Sequence, residues 1–149
     1  KGVLPMKSTM SESQGLIGRL VFSRYHELHE YRKDLLLVFK KALRCNENLV
    51  FQQGIESTTH ARHLLPLRVI GFNRDLLIQK LNGEYGIKAI IQYYPLNRYE
   101  LFSNNDMVSH GSLVNTDHFF DNMISLPFSA TLSDKEMLYI ANALNEILC

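Results

Sequence analysis

Six histidines stand among the 149 residues, and four of them form two pairs at one-turn spacing: His26 with His29, and His60 with His63. On a helix that interval puts both imidazoles on one face, an arrangement used by metal sites in helical bundles. A metal also needs a third ligand in register, and none is evident. The string His26-Glu27-Leu28-His29 falls one residue short of the His-Glu-x-x-His spacing of a metalloprotease helix. Both pairs are therefore read as surface or interface histidines, with no metal expected. Gly-x-Ser-x-Gly, Gly-x-Gly-x-x-Gly and Gly-Lys-Ser/Thr are all absent, so neither a serine nucleophile nor a phosphate loop is announced. Cys45 and Cys149 lie far apart without a Cys-x-x-Cys partner. They read as reduced thiols of a cytoplasmic protein rather than as a disulfide framework.

One segment is rich in ligand-binding groups: Gln92-Tyr93-Tyr94-Pro95-Leu96-Asn97-Arg98-Tyr99. Its amides and phenols donate and accept hydrogen bonds, and its rings offer flat faces. It closes an apolar run from Ile87 to Tyr94 that reads as a strand ending at Pro95. Strand ends on a rigid scaffold are favourable places for ligand contacts. The same composition also suits a solvated loop whose tyrosines pack sideways.

The elements that must carry this segment are legible from periodicity and caps. Ser11 and Gln14 have the form of a capping box. Behind them Leu16, Leu20, Leu28, Tyr31, Leu35, Val38 and Ala42 recur at helical intervals, with no proline from Met10 to Cys45. One long helix is predicted, on the order of 50 Å if continuous. That is long for a lone small domain, so it is expected to bridge two bodies. Asn46 and Asn48 are candidates to stop it. Leu49–Phe51 and His63–Ile70 read as strands, and Pro66 suggests that the second is an edge strand or bulged. Asn73 is placed to cap a helix from Arg74 to Leu81. Asn104-Asn105-Asp106 reads as a turn, Asn115 or Thr116 as the cap of a short helix over Asp117–Met123, and Ile124–Pro127 as a brief extended piece. Ser133 and Glu136 form a second capping box ahead of a helix with Met137, Ile140, Ala141, Leu144 and Leu148 on one stripe.

The expected fold is α/β in the broad sense, an α+β small domain. A long N-terminal helix precedes a small, few-stranded, mainly antiparallel sheet with helices packed on it. Residues 1–45 are expected to form a loop and interdomain helix, and residues 46–149 the small domain. A length of 149 residues with 46% hydrophobic content suffices for a real core. A formal net charge of +1 gives no reason to expect nucleic acid or an acidic membrane as partner. No apolar run approaches the ~20 residues of a membrane-spanning helix.

Four stretches, in order, resemble the C-terminal part of the pyridoxal-phosphate-dependent sugar aminotransferases, the DegT/DnrJ/EryC1/StrS family. Met6 to Gly18 is similar to the family's Lys-Tyr-Asn-Met-Ser-x-x-Gln-Ala-x-Ile-Gly helix start. His63-Leu64-Leu65-Pro66-Leu67-Arg68 is similar to its His-Leu-hydrophobic-x-hydrophobic-Arg strand. Gly86 to Asn97 is similar to its Gly-Ile-x-x-x-x-His-Tyr-x-Pro-Leu-His stretch. Ile124-Ser125-Leu126-Pro127 with Leu132 to Glu136 is similar to its ending.

The resemblance implies the C-terminal domain of a fold-type I enzyme and transamination of nucleotide-linked keto-sugars, with glutamate as the typical amino donor. The Schiff-base lysine would belong to a large domain ahead of Lys1, so this chain alone is expected to be inactive, without bound pyridoxal phosphate and without catalytic residues of its own. Lys7 and Thr9 match positions that approach the cofactor phosphate of a neighbouring subunit, which implies a homodimer. Gln92, Tyr93, Tyr94 and Asn97 would border the sugar pocket. Gln92 and Asn97 replace two family histidines, which removes groups that titrate near pH 7. The alternative expectation is a non-catalytic binding or oligomerisation domain derived from the family.

Overall fold

The computed structural model describes residues 9–44, 47–55, 57–103 and 111–149. The predicted long helix is two helices, α1 (Glu12–Ser23) and α2 (Tyr25–Ala42). The Ser11–Gln14 capping box opens α1 as predicted. The break has a local cause. The Ser23 hydroxyl donates to the Leu20 carbonyl at 2.8 Å, the acceptor an unbroken helix would offer to the Arg24 N–H. Arg24 N–H donates instead to the Val21 carbonyl at 3.2 Å, and the Arg24 backbone leaves the helical region at φ −99°, ψ 4°. α2 ends at Ala42, where Leu43 turns extended, so it stops ahead of the asparagines expected to stop it. Asn46 lies outside the described residues.

Three strands form one antiparallel sheet in the order β1 (Leu49–Phe51), β2 (Leu65–Val69), β3 (Met123–Leu126). β2 is central, which corrects the expectation that Pro66 marks an edge or a bulge. The register explains why proline is tolerated. Ile70 N–H donates toward β1, to the Asn48 carbonyl at 2.8 Å. By the two-residue period of a strand, position 66 faces the same side. β1 has already ended there, since Phe51 pairs with Leu67. Pro66 therefore lacks a donor only where no acceptor waits.

Ile87–Tyr94 is not a strand, a second correction. Only Ile90 bridges to β3, exchanging both backbone bonds with Ser125 at 2.7 and 3.1 Å. At Ala89 the Asn82 side chain takes the place of a neighbouring strand, accepting from its N–H at 2.8 Å and donating to its carbonyl at 3.2 Å. Asn82 belongs to α3 (Arg74–Gly83), whose predicted Asn73 cap accepts from Leu76 N–H. Gly86, at φ +65°, makes the left-handed turn that lets Ile87 N–H reach the Leu81 carbonyl.

The core lies on one face of the sheet. Leu35, Phe39 and Leu43 of the α2 end meet Leu65, Leu67 and Val69 of β2, and Met137, Ile140 and Leu144 of α6 (Asp134–Leu148). α2 and α6 run side by side in the same direction. Tyr31 donates to the Leu132 carbonyl at one end, and Asn145 bridges Arg44 N–H and the Ala42 carbonyl at the other. The Ser133–Glu136 capping box opens α6 as predicted. Cys149, at the end of α6, is disulfide-bonded, which corrects the reading of two reduced thiols. Distance along the chain misled that reading, because helix packing makes neighbours of positions 101 apart such as Arg44 and Asn145. Cys45 itself lies outside the described residues.

Two outcomes test this account. Ser23→Ala frees the Leu20 carbonyl and adds roughly 0.5 kcal/mol of helix propensity. The Arg24 amide should then gain exchange protection, and unchanged exchange would place the cause of the break elsewhere. Asn145→Ala removes a buried amide and strands two part-buried backbone groups, and should cost about 1–3 kcal/mol in urea unfolding, against less than about 0.5 for exposed Asn142→Ala.

Candidate functional site

The tyrosine-rich segment folds as a turn on the outer face of the sheet. After a cis peptide bond at Gln92–Tyr93, Leu96–Arg98 form one turn of 3-10 helix. A four-residue helix follows, α4 (Glu100–Ser103). The turn is held against α5 (Val114–Asn122), which begins before the predicted Asn115 or Thr116 cap and has no side-chain cap bond. Helix-start residues were sought by side-chain chemistry, but here the Leu113 carbonyl simply receives the first helical bond, from Asp117 N–H. The predicted turn at Asn104-Asn105-Asp106 lies outside the described residues.

Arg98 is the clamp. Its Nε donates to Asp117 at 2.8 Å, and its two terminal nitrogens grip both oxygens of Asp121 at 2.9 and 3.3 Å. Asp117 and Asp121 are four apart on α5, so both carboxylates face one side of the helix. The guanidinium also lies 4.9 Å from the centre of the Phe120 ring. Hydrogen bonding to Asp121 first, then to Asp117, holds Arg98 protonated far above its ordinary range. The same bond holds the Asp121 carboxyl below the usual carboxylate range. Tyr94 packs edge-on to Tyr99 at 4.9 Å and to Phe120 at 5.4 Å, so an aromatic cluster seats the turn on the same helix.

The predicted residues are distributed as follows. Gln92 lines an open cavity of about 280 Å³ together with Lys88, Ser125, Leu64 and Phe128. Ser125 is 1% exposed, and its hydroxyl has no partner among the described residues. Tyr93 is 69% exposed and free to meet a ligand, whereas Tyr94 is committed to the aromatic cluster. Asn97 is half-buried within the 3-10 turn. Thr9 is exposed ahead of α1 and does not line the Gln92 cavity. Lys7 lies outside the described residues. Sequence reasoning missed Arg98, Asp117 and Asp121 as positioning residues. The i, i+4 carboxylates were the available signal.

No cluster of three or more His, Cys, Asp or Glu suited to a metal occurs among the described residues. His29 is buried and stacks on Tyr25 at 5.8 Å, while His60 Nδ1 accepts from Arg62 N–H at 2.9 Å. No helix among the described residues is long and apolar enough to cross a membrane.

The profile of the DegT/DnrJ/EryC1/StrS aminotransferase family matches residues 2–145, and the chain belongs to that family. Among solved structures, Streptococcus pneumoniae Spr1654, provisionally described as a sugar aminotransferase, is 27% identical with a TM-score of 0.78, over 93% of this chain and 35% of that one. It has been solved in apo, pyridoxal-phosphate and pyridoxamine-phosphate forms. DesI, solved in the presence of its TDP-sugar product, shares the fold at 17% identity and a TM-score of 0.80, over 93% of this chain and 36% of that one. The spore coat polysaccharide biosynthesis protein SpsC of Bacillus subtilis is 20% identical over 146 residues, 95% of this chain and 38% of that protein. The chain thus spans little more than a third of the length of the relatives it matches. Its mixed helix and three-stranded antiparallel architecture is that of a domain of such aminotransferases.

The clamp makes a pH prediction. The folded-state pKa of Asp121 is depressed, so its contribution is complete above the unfolded value near 4 and fades as pH falls through the lower folded value. The Tyr94 ring resonances should therefore shift below about pH 4 in the parent chain. In Asp121→Asn that acid step should shrink or vanish, and an unchanged step would show that Asp121 does not govern it.

Proposed function

We propose that the chain is the C-terminal region of a pyridoxal-phosphate-dependent aminotransferase that acts on nucleotide-linked keto-sugars in amino-sugar or polysaccharide biosynthesis. The observation that carries this reading is the family match along residues 2–145 together with an architecture shared with sugar aminotransferases. DesI bears a TDP-sugar product and SpsC serves a polysaccharide pathway, which supports the substrate class. Nucleotide-linked sugars are cytoplasmic metabolites, and that compartment is proposed for this protein.

Residues 1–45 serve in this reading as loop and interdomain helix, with 46–149 as the small domain. The apolar stripe of α1 supports an interdomain role for that helix. Leu16, Ile17, Leu20 and Val21 are 59–61% exposed, while the far half of α2 is rooted in the small domain's core. A second body, the cofactor-bearing domain, would cover that stripe.

Thr9 offers one exposed hydroxyl ahead of a helix start, chemistry that suits the rim of a phosphate. Lys7 would add a cation in a homodimer, toward the neighbouring subunit's cofactor. When bound, pyridoxal phosphate supplies the electron sink for moving an amino group. This chain's own part is to bind and orient the sugar. Gln92 reads its hydroxyls from the cavity wall, Tyr93 and Asn97 would reach it from the turn that follows, and Tyr94 stiffens that turn through Tyr99 and Phe120. The amino donor, glutamate in the typical case, would enter the same cleft. By itself the chain would have no transaminase activity.

Absorbance spectroscopy tests the reading. Pyridoxal phosphate added to this chain should produce no saturable band of lysine-bound cofactor, whereas the longer polypeptide that contains it should show one. A longer polypeptide with no such band would leave the binding or oligomerisation role as the surviving function.

A further inference from the structure

A second cavity lies on the opposite side of Leu64 and Phe128 from Gln92, walled by α2, the end of β1 and the segment ahead of β2. Lys40, Gln52, His60 and Arg62 bring polar groups to it, and Phe51 and Phe128 give it an apolar wall. Among the described residues neither Lys40 nor Arg62 has a carboxylate at ion-pair distance. Lys40 Nζ rests instead 4.4 Å above the Phe51 ring. Arg62 Nε is buried with no hydrogen-bond partner among the described residues. Glu30 is paired with Lys33 at 2.9 Å and feels Arg62 as the smallest of its neighbouring charges.

The backbone is also set unusually. Arg62 has φ +50°, in the left-handed region that residues with a Cβ rarely occupy. Its N–H donates to His60 Nδ1 at 2.9 Å, which fixes the turn. That bond also assigns the tautomer of the neutral ring, leaving the proton on Nε2, where it can be donated. A buried guanidinium Nε left unbonded among the described residues, on a backbone in the left-handed region, is costly unless an acceptor completes it.

We propose that this cavity is a phosphoryl-binding site. Size fits the ligand. The cavity opens to solvent and holds about 50 Å³, against roughly 10–15 Å³ for one water, so it admits a phosphate-sized group. Charge and geometry narrow it. Arg62 presents a planar fork, Lys40 a point charge, and Gln52 and His60 neutral donors, which together match several oxygens of a tetrahedral anion. The apolar wall strengthens each of these bonds by excluding water. The site does not rest on the aminotransferase reading.

The test is an NMR titration of the 15N-labelled chain with inorganic phosphate at constant ionic strength and neutral pH. Saturable shifts confined to the amides around Gln52, His60 and Arg62 are expected. Lys40→Met with Arg62→Gln should weaken binding by roughly tenfold or more while the rest of the amide spectrum is kept. Arg62→Lys retains the charge but loses the fork, and it should fall between; this single change serves if the double variant does not fold. Uridine diphosphate and ribose form the other arms. Tighter binding of the diphosphate than of phosphate assigns the natural group to a nucleotide, equal or weaker binding assigns it to free phosphate, and both support the site. Absence of saturable shifts at tens of millimolar phosphate, equal affinity in the variants, or equal response to neutral ribose would overturn it.

Discussion

α5 contributes no fully buried residue of its own, yet the tyrosine turn depends on where it sits. Guanidinium groups hold it in place of a hydrophobic face. Arg74, at the start of α3, donates to the Phe120 and Met123 carbonyls at 3.0 and 3.2 Å and so closes the C-terminal end of α5. Arg68 of β2 meets His118 at 3.3 Å on its flank. Arg98 grips Asp117 and Asp121 on the remaining side. Isolated surface ion pairs contribute little, but a bidentate, ring-backed guanidinium shared by two carboxylates is a different case. Arg74 and Arg98 also lie over the same Phe120 ring, at 6.0 and 4.9 Å. A helix anchored this way keeps its direction without adding to the core, which leaves the sheet beside it open for the Gln92 cavity.

Local signals were legible in the sequence, and their limits were physical. Both capping boxes and the Asn73 cap depend on residues three apart, so they were found. The break at Arg24 was missed because it depends on which partner the Ser23 hydroxyl selects, and neither proline nor glycine marks it. Pro66 was misplaced because its tolerance depends on where another strand ends. The Ile87–Tyr94 run had the composition of a strand, but Asn82 supplied from a helix the hydrogen bonds that a strand would have supplied.

The site was legible in part for the same reason. Gln92 to Tyr99 stands out as one continuous stretch of polar and aromatic residues. The groups that complete it come from elsewhere: Asp117 and Asp121 lie 19 and 23 residues beyond Arg98, and Ser125 comes from β3. Composition shows which side chains are able to bind a ligand, while only the fold shows which are already occupied. Tyr93 and Tyr94 are adjacent in sequence, yet one is open to solvent and the other is spent on packing.

The two halves of the long N-terminal segment carry the same sequence period but opposite fates. In α2 the stripe continues into Leu35 and Phe39, both fully buried against β2 and α6. In α1 no residue is buried, although its composition is more apolar. Fully burying a Val, Leu or Ile is worth roughly 1.5–3 kcal/mol, and Leu16, Ile17, Leu20 and Val21 remain 59–61% exposed, so covering them would release on the order of 5 kcal/mol. That is comparable with the whole stability of a small domain. A stripe of this size is a surface shaped to be covered, and the Ser23 break sets its angle to the rest of the chain. The break lies more than a turn ahead of the first buried residue, His29, and about three turns ahead of the core contact at Leu35. A bridging helix requires that arrangement, with one end fixed by its own core and the other presenting an apolar face to a second body.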